Sequence, residues 1–178
     1  ELDGLPTACS LVEAEHGYGA IAEGVDGRLY CAPCFASKVM VVDRTGLVSF
    51  IDVVEAEATG AAYLDIAAGR DGRLYCCPCD ATKVLVIDPR TEALSFIDGA
   101  GLNKYSGIAR GCNGRLYCSP LEGGKVLVID PEQESLSFIE GAHGSYGGIA
   151  EGADGQLYCP PLHADAALVI NPRTDELS

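Results

Sequence analysis

The stretch Asp26-Gly27-Arg28-Leu29-Tyr30-Cys31 decides the fold, because the chain repeats it three more times almost letter for letter. The other copies occupy residues 71–76, 113–118 and 154–159. Successive copies are 45, 42 and 41 residues apart, and in each copy the tyrosine lies 12 residues after an earlier tyrosine. A fixed period of this length indicates a repeat architecture, and the chain therefore consists of four versions of one unit.

Each unit predicts four short strands. The first contains Tyr-x-x-Ile-Ala and leads into Asp-Gly or Asn-Gly, which is typical of a tight hairpin because both central residues adopt positive φ. Arg-Leu-Tyr-Cys forms the second strand, which ends at a proline. Val-Leu-Val-Ile-Asp forms the third, whose composition predicts burial on both faces. Leu-Ser-Phe-Ile forms the fourth in three copies. No apolar spacing of three or four residues continues long enough to predict a helix.

Four strands in about 42 residues are the signature of a β-propeller blade. A sheet that is apolar on both faces is not stable alone, so copies must stack face to face around an axis. The predicted innermost strands carry small residues, such as Gly19 and Gly107, where space near the axis is tight. We therefore predict an all-β fold, a β-propeller of four-stranded blades.

The predicted domain is a single propeller over residues 1–178. Its repeats occupy about 14–53, 59–99, 101–141 and 142–178, the last completed by 7–13. Leu177-Ser178 aligns with Leu94-Ser95, and residues 8–12 resemble the outer strand that the fourth repeat lacks. An N-terminal strand that closes the last blade would give four complete blades. The alternative is that the four repeats are part of a larger propeller of six to eight blades.

The charge balance excludes some classes of partner. The net charge is −14, from 12 basic and 26 acidic residues, which argues against nucleic acid and anionic membrane surfaces. The apolar runs are much shorter than the roughly 20 residues of a membrane-spanning helix, so no membrane insertion is expected. The acidic start, Glu1-Leu2-Asp3-Gly4, is unlike a signal peptide. We expect a soluble protein whose compartment is open, an organelle lumen reached with a removed presequence being one option.

The unit Gly-Ile-Ala-Glu-Gly-x-Asp-Gly-x-Leu-Tyr-Cys, followed by Val-Leu-Val-Ile-Asp-Pro-x-Thr, resembles the Vgb-like, NHL and SMP-30 group of propellers. It is most similar to uncharacterised tandem-repeat proteins of unicellular algae that carry Leu-Tyr-Cys-x-Pro and Leu-Ser-Phe-Ile. The resemblance extends from about Tyr18 to Ser178 and implies the fold. It implies no chemistry, because the shared residues form turns and core. Members of the group place a metal at the axial mouth, but no residue here matches those ligands.

The nine cysteines include two Cys-x-x-Cys pairs, Cys31 with Cys34 and Cys76 with Cys79. Such pairs form redox dithiols or half of a zinc site. Cys118 and Cys159 repeat the first cysteine without a second, so it belongs to the repeat itself and is best explained as a small core residue. We predict structural thiols, with no metal site and no cofactor; the zinc and redox alternatives stay open.

The loop after the second strand varies where its flanks do not. Five residues after each second tyrosine stand Phe35, Asp80, Glu122 and His163. Variable loops on a constant scaffold often carry binding specificity, so these four are the candidate residues for a ligand or a partner. Simple drift of exposed loops is the alternative. Lys38, Lys83 and Lys125, at the start of third strands, are expected to be solvated residues that flank an apolar strand.

Two functions remain open. A non-enzymatic propeller, either a protein–protein interaction module or an accessory subunit of a larger assembly, fits an acidic scaffold with variable loops. A metal-dependent lyase or lactonase of the Vgb or SMP-30 type would need unique polar residues near the axis. The repeat-breaking polar residues near the first strands are Glu23, Asp65, Arg110 and Glu151. Sugar binding is disfavoured by the absence of tryptophan, and no Ser-His-Asp set or phosphate-binding loop is recognisable.

Overall fold

A computed structural model describes residues 17–54 and 60–178. It contains four antiparallel four-stranded sheets in which each strand pairs with the next along the chain. Blade 1 consists of β1 (Tyr18–Glu23), β2 (Leu29–Pro33), β3 (Lys38–Val42) and β4 (Val48–Asp52). Blade 2 consists of β5 (Tyr63–Ala68), β6 (Leu74–Pro78), β7 (Lys83–Asp88) and β8 (Ala93–Asp98). The predicted all-β propeller fold is confirmed.

The other two blades repeat this order. Blade 3 consists of β9 (Lys104–Arg110), β10 (Leu116–Glu122), β11 (Lys125–Asp130) and β12 (Ser135–Glu140). Blade 4 consists of β13 (Ala150–Glu151), β14 (Leu157–Cys159), β15 (Leu168–Asn171) and β16 (Glu176–Leu177). The outer strand of blade 4 is thus β16, and the predicted closing strand 7–13 lies outside the described residues. None of the described elements is a helix of the length and apolarity that a membrane span requires.

The Asp-Gly turns form at the predicted positions, but the prediction that both central residues adopt positive φ is wrong, since only the glycine does. Gly27 and Gly72 have φ values of +76° and +84°, which an Asp-Gly hairpin requires and other residues rarely adopt. The aspartate side chain accepts a hydrogen bond from the backbone N–H two residues later, at 3.1 Å in both turns. Each first strand is therefore joined to its second by a turn that its own sequence encodes.

The core lies between blades. We call the face of a blade that is directed toward the preceding blade its leading face, and the opposite face its trailing face. Three clusters of buried residues fill the three interfaces between blades 1–2, 2–3 and 3–4. In the second cluster, Tyr75 and Val86 of blade 2 meet Leu116 and Ile129 of blade 3. Each interface thus joins a Tyr-Val face to a Leu-Ile face.

The arrangement is an arc of blades with two exposed end faces. On the leading face of blade 1, Ile21 and Leu29 are 52% and 39% exposed, whereas their equivalents Ile66 and Leu74 in blade 2 are 5% and 0% exposed. On the trailing face of blade 4, Tyr158 is 38% exposed. The predicted burial of the third strand on both faces holds in blades 2 and 3 and fails at both ends. These faces agree with the alternative that the blades are part of a larger ring.

Candidate binding site on the loop face

Because the strands of each blade are antiparallel, the connections between them lie on two opposite faces of the arc. The hairpin face carries the Asp-Gly turns and the turns between third and fourth strands. The loop face carries the loops between second and third strands and the connections from one blade to the next. All four candidate residues, Phe35, Asp80, Glu122 and His163, belong to the loop face, because each lies at or just beyond the end of a second strand.

Asp80 and Glu122 are brought together by a lysine that the sequence reasoning missed. Lys104 Nζ lies 3.4 Å from Asp80 Oδ1 and 3.7 Å from Glu122 Oε2. Lys104 pairs with Glu122 across β9 and β10, whereas Asp80 reaches it from the loop of the preceding blade. Asp80 is held by a 2.9 Å hydrogen bond from its own N–H to Ala61 O. The three charged groups therefore link blades 2 and 3 at the loop face.

The electrostatics of this triad are those of an exposed ion pair. Hydrogen bonding to Asp80, with the nearby charge of Glu122, raises the pKa of the Lys104 ammonium above its ordinary value. Because these side chains are accessible to water, their attraction contributes little to stability and is screened by salt. The sequence could have identified Lys104, because it is the one charged residue among those that directly precede the first tyrosines. The other three are Gly17, Ala62 and Ser145.

Phe35 and His163 lie on the same face without a described contact to the triad. Phe35 is 70% exposed and its N–H donates to Gly17 O at 2.7 Å. His163 is exposed and its N–H donates to Ser145 O at 3.2 Å. The structure thus brings two of the four candidates together and leaves the other two on blades 1 and 4, near the ends of the arc. Whether they bind anything remains a prediction.

The loop face carries further apolar side chains that the sequence reasoning passed over. Val54 and Leu102, in the connections between blades, are 90% and 88% exposed. Leu162, beside His163, is 52% exposed. Together with Phe35, they give four large apolar side chains on four different loops of one face. No repeat pattern predicts them, because the connections between blades differ in length and composition.

The paired cysteines are buried in the core. Cys34 and Cys79 are each 6% exposed, and Cys31 and Cys76 are 4% and 0% exposed. Burial raises the pKa of the Cys34 thiol, and the carboxylate of Asp80 raises it further. Among the described residues no group of three or more His, Cys, Asp or Glu side chains is placed to hold a metal ion. Cys77 and Cys118 lie in one buried cluster between blades 2 and 3, and the Cys77 thiol donates to Gly107 O at 3.4 Å.

Asp65, an acidic residue on the first strand of blade 2, has a structural role. Asp65 lies on β5, and its Oδ1 and Oδ2 accept hydrogen bonds from Ile66 N at 2.8 Å and Ile108 N at 2.9 Å. Burial raises the pKa of this carboxyl, and the two amides partly counteract that rise. Both oxygens are thus committed to main chain, one of them to the next blade. The structural role of Asp65, between blades 2 and 3, therefore accounts for this residue without a metal ion.

No protein-family profile matches the chain, and no curated protein matches it. Solved structures share its fold at low identity. Virginiamycin B lyase from Staphylococcus aureus matches with a TM-score of 0.82 and 14% identity, over 95% of this chain and 57% of the lyase. Hydrazine synthase from Kuenenia stuttgartiensis matches at 0.74 and 20% identity, over 98% of this chain and 51% of the synthase chain.

An auxiliary nutrient binding protein from Bacteroides thetaiotaomicron matches with a TM-score of 0.67 and 12% identity, over 91% of this chain and 40% of that chain. The chain thus has a Vgb-like propeller fold and spans little more than half of the lyase and synthase chains. Similarity at this level of identity shows only the fold, and both an enzyme and a binding protein have this fold. The relation to algal repeat proteins stays a prediction.

Proposed function

We propose that the chain is a non-enzymatic propeller whose loop face binds another protein, as an interaction module or an accessory subunit. The observation that carries this proposal is the set of four exposed apolar side chains on one face: Phe35, Val54, Leu102 and Leu162. The four side chains lie on four different loops, so a partner that contacts them together would span several blades. Exposed apolar groups on one face can form a protein interface, and aromatic side chains such as Phe35 are enriched at such interfaces.

Charge indicates the kind of partner. The triad of Asp80, Lys104 and Glu122 carries one positive and two negative charges, and the whole chain carries −14. A strongly acidic protein attracts positively charged partners at long range and repels other acidic ones. We infer a protein partner with an apolar patch bordered by lysines and arginines.

The test compares two faces of the same molecule. The loop-face variant replaces Phe35, Leu102 and Leu162 by serine. The control variant replaces Val25 and Leu47 by serine as well. These two residues are 55% and 68% exposed on the hairpin face. Both variants change exposed side chains, so both should keep the thermal stability of the wild-type chain.

Chemical cross-linking in extracts of the source cells, followed by mass spectrometry, identifies the proteins captured by each form. We expect the wild-type chain and the control to capture the same basic protein and the loop-face variant to lose it. Capture that survives the loop-face substitutions but fails in the control would contradict the proposal. The alternative lyase or lactonase rests on likeness of fold and has no described residue to support it, so we do not propose it.

A further inference from the structure

Three charged residues that break the repeat meet on the hairpin face, where blade 2 adjoins blade 3. No other repeat has an arginine at the position of Arg70 or at that of Arg110. The third residue, Glu132, lies in the turn between β11 and β12, and the same turn of each other blade has an arginine: Arg44, Arg90 and Arg173. Random variation would scatter such changes over the molecule, so their convergence at one junction indicates a local role.

The two arginines cross the junction in opposite directions. Arg70 Nη2 donates to Cys112 O at 2.6 Å, and Arg110 Nη1 donates to Ala68 O at 3.3 Å. Cys112 comes two residues after Arg110, and Ala68 comes two residues before Arg70. Each guanidinium therefore reaches the hairpin that carries the other. A guanidinium has several N–H donors, so both groups keep donors for a ligand.

Neither arginine has an ion pair with a carboxylate in residues 17–54 and 60–178, although acidic residues outnumber basic ones by 26 to 12. Other arginines of the hairpin face differ, because each pairs with an acid of the following blade. These pairs are Arg28 with Glu92, Arg73 with Glu134 and Arg115 with Asp175. The chain thus supplies carboxylates to the arginines that join blades and none to Arg70 and Arg110. Two guanidinium groups without an internal counter-ion favour an external anion.

A cleft of about 330 Å³ lies beside Arg70, at the lower end of the volumes of small-molecule sites. Arg70 and Gly114 line it together with Asp130 and Glu132. The side chain of Arg70 lies across Gly114, where an added Cβ would be 3.0 Å from Arg70 Cδ. In blades 1 and 2 the turn glycine is instead covered by the arginine of the turn between third and fourth strands. The cleft of blade 3 therefore combines a guanidinium from blade 2 with the carboxylate that replaces its own arginine.

The number of donors and the surrounding charges indicate the chemistry of the ligand. A phosphate monoester carries about two negative charges and three acceptor oxygens, so it can accept hydrogen bonds from both guanidinium groups, whereas one guanidinium suffices for a carboxylate. Asp130 and Glu132 repel a second anionic group in the cleft, and their carboxylate oxygens accept hydrogen bonds from hydroxyl groups. The site therefore matches a small molecule with one phosphate and neighbouring hydroxyls.

We propose that Arg70 and Arg110 bind the phosphate group of a small phosphorylated polyol, whose hydroxyl groups occupy the cleft beside Arg70. Blades 2 and 3 supply every residue of this site. It lies on the face opposite the loop face, so it does not depend on the proposed function. Partner capture by the loop face is measured separately, and failure of either proposal is distinguishable from failure of the other.

Phosphorus NMR measures binding of two probes to the wild-type chain: glycerol phosphate and inorganic phosphate. Low ionic strength is used because salt screens the attraction between exposed charges. We expect saturable binding of both probes, with the tighter binding for glycerol phosphate, since only its hydroxyl groups can reach Asp130 and Glu132. Equal affinities would overturn the assignment of a polyol. Binding of neither probe would overturn the whole proposal.

Arg70→Gln and Arg110→Gln should each weaken binding of glycerol phosphate about tenfold or more, as expected for loss of a hydrogen bond between charged groups. The matched control is Arg44→Gln, which removes the same charge from the hairpin face and the same kind of contact, a hydrogen bond to Asp26 O at 3.2 Å. Its affinity should be nearly unchanged. Equal weakening in all three variants would show attraction to the whole face and contradict the site.

The three arginines are exposed, so their substitution should leave the fold intact. Circular dichroism and the midpoint of urea denaturation check each variant. Arg70→Gln and Arg110→Gln test the site independently, so either one decides if the other fails to fold. Wild-type affinity in a folded Arg70→Gln or Arg110→Gln variant would overturn the role of that arginine.

Discussion

Tyr75 illustrates how a single residue joins two blades. Its ring is fully buried, its hydroxyl donates to Asp71 Oδ2 at 2.9 Å, and the guanidinium of Arg73 lies 5.8 Å from its ring centre. Tyr30 and Tyr117 are equally buried in their own interfaces. The repeated tyrosine therefore contributes apolar contact to the next blade and a fixed polar end to its own hairpin.

Replacing Tyr75 with alanine should lower the free energy of unfolding by about 3–5 kcal/mol, because a large buried aromatic leaves a cavity. Tyr158→Ala should cost much less, because Tyr158 is 38% exposed. Urea denaturation followed by circular dichroism measures both losses. Equal losses for the two variants would contradict the difference in burial.

The thiols differ in their expected reactivity. Burial raises the pKa of the Cys159 thiol to about 12 and that of Cys31 above its ordinary value. Thiolates are the reactive form, so buried thiols of raised pKa react slowly. Cys112 is the one described cysteine that is not buried. Among the described cysteines it should be alkylated first in the native protein at about pH 8.

Mass spectrometry after timed alkylation ranks the sites, and elemental analysis measures zinc. Structural thiols should remain unmodified until denaturant is added, and no zinc should co-purify. One equivalent of zinc, with Cys31, Cys34, Cys76 and Cys79 protected until a chelator is present, would instead establish the metal site that the sequence left open.

At the scale of elements, the inner strands are held close by glycine. A Cβ added to Gly107 of β9 would lie 2.8 Å from the Cα of Gly148 in the connection to blade 4. Backbone atoms cannot yield as a flexible side chain does, so the two segments approach this closely because Gly107 has no side chain. Gly147 differs, because nothing lies within 4 Å of the corresponding position.

Gly107→Ala should therefore destabilise the chain by about 1–3 kcal/mol through overpacking between blades 3 and 4. Gly147→Ala is the matched control and should change stability by less than about half a kcal/mol, since most surface substitutions do. The midpoints of urea denaturation measure the stability of the two variants. A neutral Gly107→Ala would mean that the blades separate more easily than their packing indicates.

Exposed ion pairs join the third strand to the outer strand in blades 1, 2 and 3. Lys38, Lys83 and Lys125 lie 3.0, 3.1 and 2.8 Å from Asp52, Asp98 and Glu140 on the adjacent outer strands. Side chains this exposed contribute little to stability. Their position at the end of an apolar strand fits the solvated, flanking role expected from the sequence.

At the scale of the whole molecule, stability should be uneven along the arc. Each blade contacts its neighbours, so blades 2 and 3 are covered on both faces while blades 1 and 4 each have one exposed face. Repeat arrays of this kind open from their ends, because an end unit has one interface to lose instead of two.

Hydrogen exchange should show this gradient. Amides of β7 and β11 should exchange more slowly than those of β3 and β15. Uniform protection of the four strands would contradict this gradient.

Much of the fold was predictable because its determinants are local. Asp-Gly encodes the hairpin, alternation places tyrosine and cysteine on opposite faces of the second strand, and the repeat supplies four copies of one blade. The candidate loops were found by their variation, and topology alone puts Phe35, Asp80, Glu122 and His163 on one face. These features depend on residues close in sequence, which every copy carries in the same order.

The tertiary structure decided what depends on neighbours in space. Tyr75 and Tyr158 stand in nearly identical sequence, yet one is fully buried and the other is 38% exposed, because one has a blade beyond it in the arc. Lys104 joins Asp80 to Glu122 since two blades meet there, and Asp65 binds an amide of the next blade. A local pattern fixes each blade, but burial and electrostatics between blades depend on which surface each one meets.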